Sequence, residues 1–310
     1  MSTSPDISVL LCTHRPDPAR LRATLDGLRR QTLPVARWEL LVVDNASTPP
    51  LELADELAWH PLARVIREEK LGLTHARCAG ISAAIASLLV FVDDDNVLDP
   101  RYLAAAVELA DRRPDIGAFG GEVSPGFETE PAPELRPWLG VLALREVSAP
   151  RWAMYPEIND TLPCGAGLVV RAAVARRYLD AVRGDPVRAA LDRRGDSLAS
   201  CGDTDLALTA VDHGLGTGVF PELRLRHLIP ARRVQPAYLL ALIEDLERSR
   251  QVLCHLRGLP ATPPPGLVRR LWNALNAWRH REFFHRVHAA VCRGRARAAR
   301  DIAAVKEGVA

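Results

Sequence analysis

Apolar residues along this chain follow two rhythms. Short, nearly unbroken apolar runs occupy 7–12, 38–43 and 88–92, and a further short strand is expected over 63–67. Runs of this length, apolar on both faces, suit strands buried inside a parallel sheet. Between them apolar residues recur at helical spacing, as with Leu21, Leu25 and Leu28 in a helix over 18–30. Further helices are expected over 49–59, 73–86 and 102–112, with another strand over 116–120. The helix over 73–86 carries Ala76, Ala79, Gly80 and Ala83, a small face able to pack close to a sheet. Strand alternating with helix predicts an α/β fold with a parallel sheet and right-handed crossovers.

The rhythm breaks over 122–163, where prolines at 125, 131, 133, 137, 150 and 156 forbid long regular elements. Trp138, Trp152 and Tyr155 lie here, aromatic rings that suit sugar faces or pin the loop to the core. Order returns with a glycine-rich strand over 164–171, a helix to about 182, a helix opening at 200–206, and a late strand over 223–227. From Pro236 the composition turns helical, giving segments over 238–256 and 267–299. We therefore divide the chain into an α/β domain, 1–235, and a C-terminal helical extension, 236–310.

Bulk properties narrow the function without naming it. The 310 residues carry a formal net charge of +2, which implies no bulk affinity for nucleic acid. Six cysteines stand far apart with no C-x-x-C pair, and read as reduced thiols of a cytoplasmic protein. The first residues lack a basic region followed by an apolar core, so no signal peptide is expected. No apolar run is long enough to span a bilayer.

The candidate chemistry begins where the run 88–92 ends abruptly in Asp93, Asp94 and Asp95. Open α/β sheets place ligands at the carboxyl ends of their strands. Adjacent carboxylates repel one another, and a divalent cation, itself able to grip phosphate, relieves the repulsion. The bland alternative is an acidic turn capping the next helix. Asp99 at N-cap and Pro100 at the first helical position already fill that role. At the other end of the chain, 267–299 bears Arg269, Arg270, Arg279, Arg281, Arg286, Arg293, Arg295 and Arg297, with Arg300 just beyond, against the single acid Glu282. Such a helix either lies on an anionic membrane surface or packs with a solvated basic face.

Five motifs then occur in a telling order: Thr13-His14-Arg15, Asp44-Asn45-Ala46-Ser47, Gly72 to Arg77, Phe91 to Asn96, and Cys201 to Leu206. Together they resemble the inverting glycosyltransferases of family 2, over roughly residues 5–235. The resemblance implies the GT-A fold, a Rossmann-like and mostly parallel sheet flanked by helices. It implies a nucleotide-sugar donor, a UDP-sugar favoured, and Mn²⁺ or Mg²⁺ as cofactor. Thr13, His14 and Arg15 would line the nucleotide pocket, with Asp44 accepting from the base and Arg77 reaching the nucleotide or its diphosphate. Asp93 to Asp95 look like the D-x-D element, with Asp95 the direct metal ligand, Asp93 a further candidate ligand, and Asp93 and Asp94 nearer the donor. His227 occupies a place near the metal or diphosphate, and Asp203 that of the general base. Arg232 and Arg233 would clamp the diphosphate or an acceptor phosphate.

Two departures bear on this. Gly202 stands where the family usually has an acid before the base, which leaves Asp205 as a fallback. The Q-x-x-R-W motif and membrane spans of processive synthases are absent, which favours single sugar addition. The expected acceptor is a glycan, a lipid-linked molecule or a small molecule, met in the cytoplasm or at the inner face of the membrane through the basic helix. The rivals are a catalytically inactive nucleotide-binding relative, for which Gly202 argues, and a sugar nucleotidyltransferase. The second lacks its usual glycine-rich loop in 13–16. No G-x-G-x-x-G follows the first strand, which counts against a dinucleotide-dependent oxidoreductase.

Overall fold

The structure, a computed structural model, describes residues 4–262, 266–268, 271–272, 275 and 283–306. Its strands are β1 (Ile7–Thr13), β2 (Trp38–Asn45), β3 (Ala63–Glu68), β4 (Leu88–Asp93), β5 (Asn96–Leu98), β6 (Ile116–Phe127), β7 (Arg151–Ala153), β8 (Val169–Arg171) and β9 (Gly216–Ile229). The helices are α1 (Pro18–Arg29), α2 (Ala54–Leu57), α3 (Leu73–Ala83), α4 (Tyr102–Arg112), α5 (Ala172–Arg183), α6 (Pro186–Ala189), α7 (Gly202–Val211), α8 (Pro236–Leu256) and α9 (Phe283–Lys306). They fall into two compact units, one of Met1–Gly126, Ala143–Ala189 and Gly202–Leu228, the other of Phe127–Leu142, Ala190–Cys201 and Ile229–Ala310.

In the first unit the strands form one sheet in the order β3-β2-β1-β4-β8-β6-β9-β5, with β7 added on β9. The first four are parallel, and β8 runs antiparallel to both β4 and β6. Every residue of β1 and β2 is buried, as two-faced apolar runs require. From β1 the chain goes outward to β2 and β3 and then returns to place β4 on the other side. The strand order thus reverses between β1 and β4, and such a switch point is where an open α/β sheet leaves a crevice.

Local chemistry explains the flanking helices. Asp17 caps α1 by accepting from the Ala19 and Arg20 amides, with Pro18 in the first turn, and Leu21, Leu25 and Leu28 face the sheet. On α3 a Cβ at Gly80 would lie 3.3 Å from Leu10, so the small face expected there does bring helix and sheet close.

Several expected boundaries are corrected. Of 49–59 only Ala54–Leu57 is helical, because the Leu51 amide is spent on the Asp44 carboxylate, which holds the preceding segment in a loop. Helix α4 begins at Tyr102, and Asp99 instead accepts from the Arg101 amide just ahead of it. The strand expected over 164–171 shrinks to Val169–Arg171, its glycine-rich approach forming a tight turn. The late strand grows to fourteen residues, Gly216–Ile229.

In the second unit α9 packs along α8. A Cβ at Gly294 would lie 2.4 Å from the Glu244 carbonyl, so the close approach demands glycine. Arg293 pairs with Glu244, Arg295 with Glu247, and Arg297 with Glu244 and Asp245. These three arginines of the basic helix therefore face carboxylates of α8. Arg269, Arg270, Arg279 and Arg281 lie outside the described residues. No described helix is long and apolar enough to cross a membrane.

Candidate active site

The switch point is built by register. Thr13 lies opposite Asp44, and Cys12 opposite Asp93, so three adjacent strands end together in polar side chains. The Thr13 hydroxyl donates to the Asp94 carboxylate across the β1–β4 crevice. Burial, then the charges of Asp95 and Asp93, push Asp94 up to about 7 against the pull of Thr13. The crowding expected from three consecutive carboxylates is thus real in the fold, and a cation would relieve it.

A feature missed in the sequence completes this corner. The short strand β5 pairs antiparallel with β9 and sets Asn96 opposite His227. The His227 imidazole Nε2 then lies 3.3 Å from Asp95 Oδ2, and His227 is 4% exposed. The Asp95 carbonyl accepts from the Leu228 backbone amide, and the Asn96 side chain donates through Nδ2 to Asp95 Oδ1. Among the described residues no three His, Cys, Asp or Glu side chains gather around one point. The pair Asp95–His227 nevertheless suits a cation that takes one or two ligands from protein and the rest from phosphate and water. The carboxylate is the donor of this pair that suits manganese or magnesium.

The nucleotide side is framed by two loops zipped together. His14, exposed, places Nδ1 2.6 Å from the Asn45 carbonyl, and the Arg15 amide donates to Ser47 Oγ. Arg15 and Ala46 both have positive φ, 47° and 54°. Asp44 is 1% exposed and accepts from the Ser47 and Leu51 amides and from Arg67 at 2.6 Å. Burial pushes Asp44 up, but these donors outweigh it and hold the group below the usual carboxylate range. The Asn45 side chain donates to the Glu68 and Lys70 carbonyls and accepts from the Gly72 amide, which fixes the start of α3. Arg77, on that helix, is 4% exposed.

Asp203 and Asp205 separate clearly. Asp203, in the first turn of α7, is partly exposed. Its Oδ2 accepts from the Gly165 amide and its Oδ1 from the Thr204 amide, each at 2.7 Å. Asp205 is fully buried, with Arg188 Nη1 2.9 Å from both of its oxygens. The first can meet a substrate, whereas the second is closed off by its ion pair.

The Cys164–Gly165 segment ties the two sides together. Burial pushes the Cys164 thiol up to about 11, and the charges of Asp203 and Asp93 add to the rise while Arg145 opposes it. A Cβ built at Gly165 would stand 2.7 Å from Arg77 Nη2 and 3.1 Å from Asp203 Oδ2, so guanidinium and carboxylate are no more than about 6 Å apart.

The remaining expected residues have neighbours of their own. Arg232 and Arg233 belong to a short 3₁₀ turn of the second unit, Ala231–Val234, where the Arg233 guanidinium lies 5.9 Å from the Tyr238 ring. Trp152 and Tyr155 are exposed, but not beside the acid cluster. Trp152 lies under Arg113 at 4.2 Å, and Met154 would touch a Cβ at Gly216, next to Ile116. The pairing of β6, β8 and β4 puts Ile116 level with the start of β4, the end opposite Asp93. Trp138 packs on Phe283 within the second unit.

Residues 8–162, half of the chain, match the family described as Glycosyl transferase family 2. The chain is 31% identical over 109 residues to Glycosyltransferase AglE of Haloferax volcanii, covering 34% of this chain and 36% of that protein. It is 30% identical over 97 residues to Polypeptide N-acetylgalactosaminyltransferase 8 of Drosophila melanogaster, covering 30% of this chain and 16% of that one. An uncharacterized protein of Sinorhizobium fredii, y4gI, is 33% identical over 119 residues, 37% of this chain and 13% of its own length. The chain thus spans little more than a third, at most, of these curated relatives.

Proposed function

Because the chain belongs to glycosyl transferase family 2, we propose that it moves one sugar, with inversion, from a nucleoside diphosphate donor to an acceptor hydroxyl, aided by a divalent cation. One observation carries this reading. The partly exposed Asp203 and the Arg77 guanidinium both border Gly165, 3.1 and 2.7 Å from where a Cβ would stand, in a turn whose Leu168 carbonyl accepts from the Phe91 amide of β4, the strand that ends in the acid cluster.

Each residue then has a task. Asp95 and His227 hold Mn²⁺ or Mg²⁺, which supplies Lewis-acid neutralisation of the diphosphate when bound. Arg77, buried and fixed through α3, adds its positive charge to the same leaving group. Asp93 and Asp94 face the ribose or sugar, and Thr13 orients Asp94. The nucleoside lies against the loops 13–15 and 44–47. UDP is the favoured donor, and Asp44 acts there through the Arg67 and Ser47 groups it holds in place. Asp203 takes the proton of the attacking hydroxyl, worth about 10²–10⁴ in rate for such a base. Attack from that side by one base, opposite the departing diphosphate, inverts the anomeric carbon. The acceptor is a glycan, a lipid-linked molecule or a small molecule.

The test is a panel of nucleoside diphosphate sugars, with and without Mn²⁺, read as released diphosphate and as transfer to added acceptors. Turnover by wild type and its loss in Asp203→Asn, with nucleotide binding kept, support the reading. Full transferase activity in Asp203→Asn would remove Asp203 from the role of base.

A further inference from the structure

The turn that precedes β8 is pinned more firmly than a connecting loop needs to be. The Phe91 amide donates to the Leu168 carbonyl at 2.8 Å, which ties the turn to β4 two residues before Asp93. The Tyr102 hydroxyl, fully enclosed in the core, donates to the Gly167 carbonyl. Gly167 has φ +70, and a Cβ there would lie 2.4 Å from that hydroxyl, so the turn tolerates only glycine at this position. Gly165, at the tip, has no positive φ. Its lack of a side chain therefore answers to its neighbours and not to its backbone.

Those neighbours are the two charged groups the chemistry needs. The Gly165 amide donates to Asp203 Oδ2 at 2.7 Å, a charge-assisted hydrogen bond that sets the rotation of the carboxylate. The second oxygen is held by the Thr204 amide of the same helix. The space a Cβ would fill is taken by Arg77 Nη2 and Asp203 Oδ2, 2.7 and 3.1 Å from it.

We infer that Gly165 is the positioning residue of the base: its amide aims Asp203, and its bare Cα leaves room for Arg77 alongside. In this chain the rigid turn does the orienting next to a base whose preceding position, Gly202, carries no acid. The inference rests on the reading of Asp203 as base, and it adds that donor-side and acceptor-side groups are held by one backbone bracket anchored on β4. The acceptor hydroxyl is then met by a carboxylate of fixed rotation. A misplacement of about 1 Å in such a group costs up to about a hundredfold in rate.

Two measurements test it. In protein labelled with ¹⁵N-glycine, the Gly165 amide is identified as the signal lost in Gly165→Ala. Its proton should resonate downfield and move upfield in Asp203→Asn, and an unmoved signal would overturn the proposed hydrogen bond. In kinetics with the donor that wild type turns over, Gly165→Ala should lose at least about tenfold in kcat while its thermal midpoint stays within a few degrees of wild type. A bulk folding role would instead lower the midpoint and leave kcat per folded molecule intact, and that outcome overturns the inference. If Asp203→Asn is dead while Gly165→Ala turns over normally, the positioning role alone fails. If Asp203→Asn stays active, the base assignment itself is wrong, whatever the amide signal does.

Discussion

Removing Arg188 should cost the protein stability without touching the chemistry. Asp205 is 0% exposed, and Arg188 Nη1 stands 2.9 Å from both of its oxygens, with the arginine side chain itself 16% exposed. At an effective dielectric of about 20 the gross attraction at that separation is roughly 5–6 kcal/mol. Desolvation of both groups offsets much of this, and removing one partner of a buried pair typically costs about 3–5 kcal/mol. Asp205 also sits in the first turn of α7, where the helix dipole returns about 0.5 kcal/mol to a carboxylate. We therefore expect Arg188→Met to lose about 3 kcal/mol. With a urea slope of about 3 kcal/mol/M for a chain of this size, the midpoint falls by about 1 M. The assay is urea unfolding followed by tryptophan fluorescence, with turnover measured well below the transition. Arg188→Met/Asp205→Leu should regain most of the loss, because the stranded charge is gone. A single variant within about 1 kcal/mol of wild type would refute the reasoning. So would an Asp205→Asn protein that folds normally but has lost turnover as completely as Asp203→Asn, since that outcome moves the base to Asp205.

Other expectations are quickly checked. Burial pushes the His60 imidazole down to about 4, and its Nε2 is enclosed without a hydrogen-bond partner. The folded protein keeps it neutral while the unfolded chain protonates near 6.5, so its contribution is complete above pH 6.5 and is lost as pH falls toward 4. That loss is on the order of 2 kcal/mol, and in His60→Phe the stability should depend less on pH across this window when followed by denaturant titration. Asp95→Ala and His227→Ala should each weaken manganese-dependent nucleotide binding by at least about tenfold in calorimetry, and equal affinity in either would remove that residue from the metal site. Gly121→Ala would put a Cβ 1.9 Å from the Leu223 carbonyl and 2.6 Å from that of Phe220, both backbone, so about 3 kcal/mol or more should be lost on thermal melting. Gly140→Ala, with nothing among the described residues within 4 Å of the new Cβ, should melt like wild type.

Much of the first unit was written locally. Apolar runs at 7–12, 38–43 and 88–92 can only be buried on both faces, and they became the adjacent strands β2, β1 and β4. A carboxylate triplet directly after such a run has to sit at a strand end, and the order of strands and helices put that end at the switch point. The small face of α3 was equally legible, because helical periodicity acts over a few residues.

What the sequence could not supply was contact between distant segments. The resemblance put His227 near the metal, but no neighbour of Asp95 in the chain shows how; they meet because β5 pairs with β9. Asp203 and Asp205 stand two residues apart in one motif, and only the packing of α7 leaves the first open and seals the second against Arg188. The arginines of the last helix read the same whether they face lipid, water or acid, and the fold set three of them against the carboxylates of α8. Trp152 and Tyr155 have side chains suited to sugars, but strand pairing carried their loop to the far end of the sheet. The sequence by itself determined the long buried strands and where charge must collect, since two-faced burial is a property of neighbouring residues. Which charges meet, and which of them stay open to a substrate, was decided only by the tertiary structure, because those contacts join residues that the chain keeps far apart.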